Sequence, residues 1–108
     1  MQRVLRPGRR VRGSTRGRPI MALLDLLGRR WSLRVIWELH RRALGFRELQ
    51  AACGGISPTI LNTRLAELRA AGIVTLAETG YLLSAEGERL LASLGGLNAW
   101  AERWAKRA

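Results

Sequence analysis

The sequence predicts a mainly α-helical fold with one small β-hairpin. Apolar residues make up 47% of the 108 residues, which is enough for one hydrophobic core in a single domain. Leucines recur at helical spacing in several segments that glycines separate. Residues 73–84 instead combine β-forming residues with a central turn sequence. These observations predict short helices packed around one core, with a hairpin late in the chain.

Gly28 separates the first two predicted helices. Four apolar side chains of the first helix lie on or beside one face: Met21, Leu23, Leu24 and Leu27. Ser32, an N-cap residue type, is predicted to cap the second helix, and Gly45 is predicted to end it. Three apolar side chains of this second helix recur at helical spacing: Val35, Ile36 and Leu39. Each helix therefore has an apolar side that can pack on a core.

A short third helix and a longer fourth helix follow, joined by a glycine-containing turn. The short helix begins at Phe46 and ends at Gly54. Ser57 is an N-cap type, Pro58 fits the first helical position, and Gly72 suits the left-handed residue after the end. The predicted buried side chains of the fourth helix follow the i, i+4, i+7 pattern: Leu61, Leu65 and Leu68. A short helix, a tight turn and a well-capped second helix form a helix-turn-helix.

The last predicted elements are the hairpin and a long C-terminal helix. Glu78-Thr79-Gly80 forms the hairpin turn, and a hairpin after a helix-turn-helix makes a winged helix. Ser84 can cap the C-terminal helix, which Gly95-Gly96 weakens in the middle. Its apolar residues alternate steps of four and three, as in a coiled-coil seam: Leu90, Leu94, Leu97, Ala101 and Trp104.

The seam, together with Trp100, presents more apolar surface than a lone terminal helix can bury. We therefore expect a second copy of the chain to cover it. The alternative is that these side chains fold back onto the core of their own domain.

The outward face of the fourth helix, about residues 58–71, lacks the Lys and Glu of an ordinary solvated helix. Asn can read adenine, Thr can offer its hydroxyl or methyl group, and Arg can reach guanine or a phosphate. The sequence therefore predicts a recognition helix in the major groove of DNA, the alternative being a solvated helix of an all-α bundle. The expected DNA contacts are Arg47, Ser57, Thr59, Asn62, Thr63 and Arg64. Thr59, Asn62 and Thr63 are expected to read bases, and the other three to position phosphates.

The net charge of +11 is concentrated at the N-terminus. Residues 1–18 hold seven arginines and no acidic residue, whereas the remaining residues hold 12 basic and 8 acidic side chains. This composition predicts a disordered Arg/Gly-rich arm over residues 1–19 that can follow phosphates, ahead of a winged-helix domain over residues 20–108. Equally, Met21 could be the true start of translation, and the preceding residues then do not belong to the native protein.

No catalytic, metal-binding or cofactor motif is present, so we expect a protein that is not an enzyme. His40 and Cys53 are the single histidine and cysteine, which excludes a His pair and an internal disulfide. We interpret Cys53 as a small buried side chain, with a redox-sensing thiol as the alternative. The chain has neither an apolar run of about 18 residues nor a signal peptide, so we expect a cytoplasmic protein with no membrane partner.

Six short motifs occur in order along the chain. They are Gly-x-x-Trp-Ser at 28–32, Phe-x-Glu-Leu at 46–49, Ile-Ser at 56–57, Leu-x-x-x-Leu-x-x-Leu at 61–68, Gly-Ile-Val at 72–74 and Tyr-x-Leu-Ser-x-x-Gly at 81–87. In this order and spacing they resemble the HxlR-type winged helix-turn-helix regulators of bacterial transcription, within the MarR-like superfamily. The resemblance covers about residues 21–105.

This resemblance implies a homodimer that places two recognition helices in successive major grooves of a pseudo-palindromic double-stranded DNA site. It also implies that dimer contacts come from the first and last helices. The candidate dimer-interface residues are Leu23, Leu27, Leu90, Leu94, Leu97, Trp100, Ala101 and Trp104. A pocket lined by Trp residues between these helices could hold a small-molecule effector.

Two features depart from the family pattern. The wing tip, residues 77–80, is short and carries Glu78, whose carboxylate is repelled by phosphates. The start of the first helix has no cysteine, so the redox sensing of some relatives is not carried over. The acidic wing favours a second hypothesis, in which the winged helix is a protein-interaction and dimerisation module that does not read DNA.

If the arginine-rich arm replaces the wing on DNA, deleting residues 1–18 should flatten the salt dependence of DNA affinity. Each phosphate contact that is lost lowers the slope of log K against log salt by about 0.9. Affinities measured at several salt concentrations check this, and an unchanged slope would contradict a role of the arm.

Overall fold

The computed structural model of the protein describes residues 18–107. The predicted arm lies outside this range except for its last two residues, and Pro19 already belongs to the first helix. In chain order the elements are α1 Pro19–Leu27, α2 Ser32–Leu39, α3 Phe46–Ala52, α4 Pro58–Ala70, β1 Val74–Ala77, β2 Gly80–Leu83, α5 Ala85–Ser93 and α6 Gly95–Arg107. The predicted mainly α-helical fold with a small β-hairpin is confirmed. None of these helices is long and apolar enough to cross a membrane.

Helix α2 lies at the centre of the domain and packs against α1, α3, α4, α5 and β2. Its Val35 and Ile36 side chains are completely buried, as is Leu49 of α3. The three predicted leucines of α4 are buried against the same core: Leu61, Leu65 and Leu68. Both helices of the helix-turn-helix are therefore fixed to α2.

The connection between α1 and α2 differs from its prediction. Ser32 does not cap α2: it is the first helical residue and fully buried, and Trp31 occupies the N-cap with a left-handed φ of 81°. In α1 the buried side chains are Ala22 and Leu26, whereas Leu24 is 54% exposed. The buried face of α1 is therefore the one that holds Ala22 and Leu26, not the one centred on Leu24.

Helix α2 ends at Leu39 rather than continuing to Gly45. Beyond it Leu44 is extended and exchanges two backbone hydrogen bonds with Tyr81 of β2, at 2.9 and 2.8 Å. A helical Leu44 could not form this pairing, so the chain leaves the helix before it. Gly80 lies beside this contact with φ +127°, and a Cβ there would lie 2.6 Å from the Leu44 carbonyl carbon.

Helix α4 begins and ends as its sequence predicts. The Ser57 hydroxyl accepts the Ile60 N–H at 3.1 Å, and Pro58 follows as the first helical residue. Gly72 has φ +80°, and the Ile73 N–H donates to the Leu68 carbonyl at 2.9 Å. These bonds satisfy backbone groups that a helix end leaves unpaired, and they fix both ends of α4.

The predicted hairpin is confirmed as an antiparallel pair of strands. Val74 lies opposite Leu83 and Ala77 opposite Gly80, so Glu78 and Thr79 alone form the turn. The wing is therefore short.

The predicted long C-terminal helix is wrong in one respect, because it is divided at Leu94 into α5 and α6. The break immediately precedes Gly95-Gly96, where helix propensity is lowest. At the start of α5 the Ser84 hydroxyl accepts the Gly87 N–H at 3.0 Å, which confirms the predicted cap. The Ser84 N–H donates to the Ile73 carbonyl at 2.9 Å and ties the start of α5 to the residue that precedes β1.

We predict that Gly87→Ala lowers the free energy of unfolding by about 1–3 kcal/mol, the usual cost of overpacking. A Cβ on Gly87 would lie 2.2 Å from the Ile73 carbonyl oxygen, so α5 must move away. Gly96→Ala is the matched control, since a Cβ there meets nothing within 4 Å and alanine favours the helix. Urea unfolding checks both variants. Equal stability of Gly87→Ala and the wild type would contradict this packing.

Candidate nucleic-acid interface

The turn between α3 and α4 sets the direction in which α4 leaves the core. Gly54 and Gly55 both have left-handed backbones, with φ of 76° and 86°. The Gln50 side-chain amide donates to the Ile56 carbonyl at 2.9 Å across this turn. Two glycines and one side-chain bond therefore define a compact turn that other residues would strain.

The exposed face of α4 contains the predicted base-reading residues, and its members are Thr59, Asn62, Thr63 and Ala66. Among residues 18–107 the Asn62 amide has no hydrogen-bond partner, so its donors and acceptor are free to pair with a base. The Thr63 hydroxyl donates to the Thr59 carbonyl at 3.0 Å, which leaves its acceptor capacity and its methyl group available. Ile60, which the sequence analysis did not single out, is also 40% exposed on α4.

Arg64 does not share this face. Its Nε donates to the Arg30 carbonyl at 2.7 Å, and Nη1 pairs with Glu67 at 3.1 Å. The side chain is 19% exposed, and its intramolecular bonds hold the guanidinium away from the predicted base-reading face. The pairing of Arg64 with Glu67 could have been predicted, because residues three positions apart are neighbours on a helix surface. The Arg30 carbonyl, distant in sequence, gave no such signal.

The two remaining predicted phosphate contacts flank α4. Arg47 is exposed on α3, and among residues 18–107 no hydrogen bond holds its guanidinium. Ser57 is exposed at the N-terminus of α4, where it accepts the Ile60 N–H as N-cap and keeps its own O–H as a donor. Both positions suit contacts that orient a helix on the DNA backbone.

The wing offers little positive charge beside α4. Residues 74–83 contain no Lys or Arg, and residues 75–79 are all exposed. The short acidic tip predicted from the sequence is therefore the tip that the fold presents.

Comparison with known proteins assigns this helix-turn-helix to a family. The family model for an HxlR-like helix-turn-helix matches residues 26–108, which is more than half of the chain. The chain belongs to the HxlR family. The resemblance noted from the sequence motifs is thereby confirmed, and this HxlR-family protein is a DNA-binding regulator of transcription.

Individual relatives agree with this assignment. YvaP of Bacillus subtilis, described as an uncharacterized HTH-type transcriptional regulator, is 31% identical over 88 residues, which cover 75% of this chain and 82% of YvaP. The crystal structure of quinone-bound YodB from B. subtilis has a TM-score of 0.72 at 31% identity, covering 78% of this chain and 96% of YodB. A structure described as a possible HxlR family transcriptional factor, from Thermoplasma volcanium, has a TM-score of 0.68 at 26% identity and covers 78% of this chain and 82% of its own.

The single cysteine of this HxlR-family chain lies in the core. Cys53 is 1% exposed, and burial raises the pKa of its thiol, while the nearby Arg34 cation partly counteracts that effect. A raised pKa favours the protonated thiol, which is the unreactive form. Its position agrees with the interpretation of Cys53 as a buried side chain.

Helix α6 of the HxlR-family protein has no buried residue. Leu97, Trp100 and Trp104 are 58%, 53% and 62% exposed, and the two indole rings stack with centroids 5.7 Å apart. In the single chain Leu97, Trp100 and Trp104 therefore do not fold back onto the core, whereas Leu90 of the same seam packs against it. Ala101 is likewise exposed.

The other candidate dimer residues on α1 and α5 and at the α5–α6 junction are only partly exposed to solvent. Leu23 and Leu94 are half-buried, and Leu27 and Leu90 pack against the core cluster. The exposed apolar surface of α1 instead comes from Ile20 and Leu24, which are not among the predicted dimer residues.

A cavity of about 610 Å³ lies between α2 and the junction of α5 and α6. Six of its lining residues are Leu33, Trp37, His40, Leu91, Leu94 and Leu97. Trp37 is the one tryptophan in its wall, and the His40 ring packs on it with centroids 4.6 Å apart. The effector pocket between two dimer helices, lined by several Trp residues, stays a prediction.

Proposed function

We propose that this HxlR-family protein binds a pseudo-palindromic operator as a homodimer in the cytoplasm, with α4 of each copy in a major groove. The observation that carries the proposal is the exposed face of α4, with the small or amide side chains of Thr59, Asn62 and Thr63. Such side chains let a helix approach base edges closely and still hydrogen-bond to them. The capped ends of α4 support a fixed presentation of this face.

The structure supports a division of roles among the contacts. Within the described part of the chain Asn62 has an unpaired amide for a base, and Thr63 and Thr59 offer a hydroxyl acceptor and methyl groups. Arg47 and Ser57 flank them as phosphate contacts. Arg64 leaves the set of direct contacts, because its guanidinium is bound to the Arg30 carbonyl and Glu67.

The homodimer is supported by the exposed apolar stripe of α6. Helix α6 packs on α5, and its stripe of Leu97, Trp100 and Trp104 faces solvent in the single chain. Apolar patches of this kind mark protein interfaces. Large aromatic side chains also supply much of the binding energy where they are buried between proteins.

A winged helix used only to bind another protein was the alternative suggested by the acidic wing, which has no Lys or Arg. Membership of a family of DNA-binding regulators of transcription argues against this alternative.

The operator-reading role of α4 predicts a loss of sequence discrimination. We first select binding sites for the full chain from random duplexes. Asn62→Ala with Thr63→Ala is then expected to bring the affinity ratio of selected to random DNA close to one, since each bidentate base contact contributes about 1–3 kcal/mol of discrimination.

The matched control for this experiment is Asn98→Ala with Ser93→Ala. The Ser93 hydroxyl donates to the Arg89 carbonyl at 3.1 Å, just as Thr63 donates to Thr59, but Ser93 and Asn98 lie on α5 and α6. This control should keep the wild-type ratio. Full discrimination by the Asn62/Thr63 variant in competition binding would refute the assignment of these two residues.

The dimer proposal predicts that Trp100→Ala with Trp104→Ala raises the dimer dissociation constant at least roughly a hundredfold, because buried aromatic anchors each contribute about 2 kcal/mol or more. Both side chains are exposed in the single chain, so the fold itself should persist. Leu76→Ala, which removes a 47% exposed side chain from the wing, is the control. Sedimentation velocity over a concentration series measures the equilibrium. Dimers of unchanged strength would place the interface elsewhere.

A further inference from the structure

Glu67, on α4, binds two arginines at once. Its Oε2 accepts from Arg29 at 2.8 Å and its Oε1 from Arg64 at 3.1 Å. The Glu67 side chain is only 10% exposed, so water screens these pairs less than the pairs of the open surface. Each carboxylate oxygen thus has its own guanidinium.

The two arginines connect α4 to the turn between α1 and α2. Arg29 lies in that turn and also pairs with Asp25 of α1 at 3.2 Å. Arg64 donates from Nε to the carbonyl of Arg30 in the same turn at 2.7 Å. We call Asp25, Arg29, Glu67 and Arg64 the α1–α4 clamp. It links the helix with the exposed Ile20 and Leu24 to the helix that is proposed to read DNA.

The turn held by this clamp is strained. Trp31 has a left-handed backbone with φ 81°, a conformation that is strained for a bulky residue. The Ser32 hydroxyl next to it is buried and has no hydrogen-bond partner among residues 18–107. Strained turns persist where surrounding contacts fix them, and here α4 supplies two of those contacts, from Glu67 to Arg29 and from Arg64 to the Arg30 carbonyl. The direction of α1 relative to α4 therefore depends on the clamp.

We propose that Glu67 is a positioning residue for operator recognition. By holding Arg29 and Arg64, it fixes α4 relative to α1 and keeps the Arg64 guanidinium on the protein. The proposal rests on the proposed function, in which two copies present their α4 helices to two half-sites. Because half-sites must match the separation of two recognition helices, a rigid clamp from α4 to α1, which the family resemblance places in the dimer interface, makes the dimer selective for one spacing.

The test compares the selected operator with the same operator carrying one extra base pair between its half-sites. Glu67→Gln keeps the shape of the side chain and removes its charge, and Arg29→Met removes the other side of the link. We expect each to lower the affinity ratio between native and lengthened spacing roughly tenfold, the size of a typical coupling between contacting residues. Arg29→Lys keeps the cation and is expected to retain most of the preference.

Glu86→Gln is the matched control. Glu86 pairs with Arg89 at i+3, as Glu67 pairs with Arg64, but both side chains are exposed and lie on α5 alone. This variant should keep the wild-type spacing preference. Affinities are expressed per active dimer, determined by stoichiometric titration, so partial unfolding of a variant does not enter the ratio.

Salt dependence separates positioning from direct contact. Arg29→Met should leave the slope of log K against log salt unchanged. The double variant Arg29→Met with Glu67→Gln should show the same spacing preference as Glu67→Gln alone, because both substitutions break the same link. A slope reduced by about 0.9 for each protomer would instead make Arg29 a phosphate contact and overturn the proposal. So would a wild-type spacing ratio in Glu67→Gln and Arg29→Met. If the wild type itself shows no operator or no spacing preference, the proposed dimeric function fails instead.

Discussion

The domain depends on the complete burial of one short helix. The eight residues of α2 contact four helices and a strand, and Val35 and Ile36 have no exposed surface. Each neighbouring element therefore packs its most apolar face against α2, because this contact removes apolar surface from water. Helix α6 packs against α5 and has no buried residue, so its apolar stripe has no place within the single chain. The exposed stripe of α6 follows from the same geometry that builds the core.

The sequence predicted those parts of the fold whose causes are local. Ser57, Pro58 and Gly72 set the ends of α4 through bonds to residues at most five positions away, and the leucine spacing fixed its buried face. The hairpin and the cap at Ser84 were predictable for the same reason. The family resemblance was recognisable because it rests on short local motifs.

Errors arose where a distant partner decides. Ser32 has the chemistry of a cap, yet it is buried as the first residue of α2, after a turn whose Arg30 carbonyl is bound by Arg64 of α4. Leu44 leaves the helical path because it pairs with Tyr81, 37 positions later in the numbering. The Arg30 carbonyl that binds the Arg64 guanidinium was likewise not predicted, because it lies 34 positions earlier in the sequence. Periodicity within one helix cannot show such partners.

Three faces of α4 carry different kinds of side chain. Their angular order restricts how the helix can rotate about its own axis. With about 100° per residue, Leu61, Leu65 and Leu68 lie within roughly 40° of the direction of α2. Asn62, Ala66, Thr59 and Thr63 then occupy the sector from about 100° to 200°, and Glu67 and Arg64 the sector from about 240° to 300°. A rotation of α4 about its axis that improved the contacts of one face would displace the side chains of the other two. The uncharged sector is therefore held toward solvent by two sets of contacts, one apolar and one ionic, and this constraint supports the proposed base-reading role of its small Thr and Asn side chains.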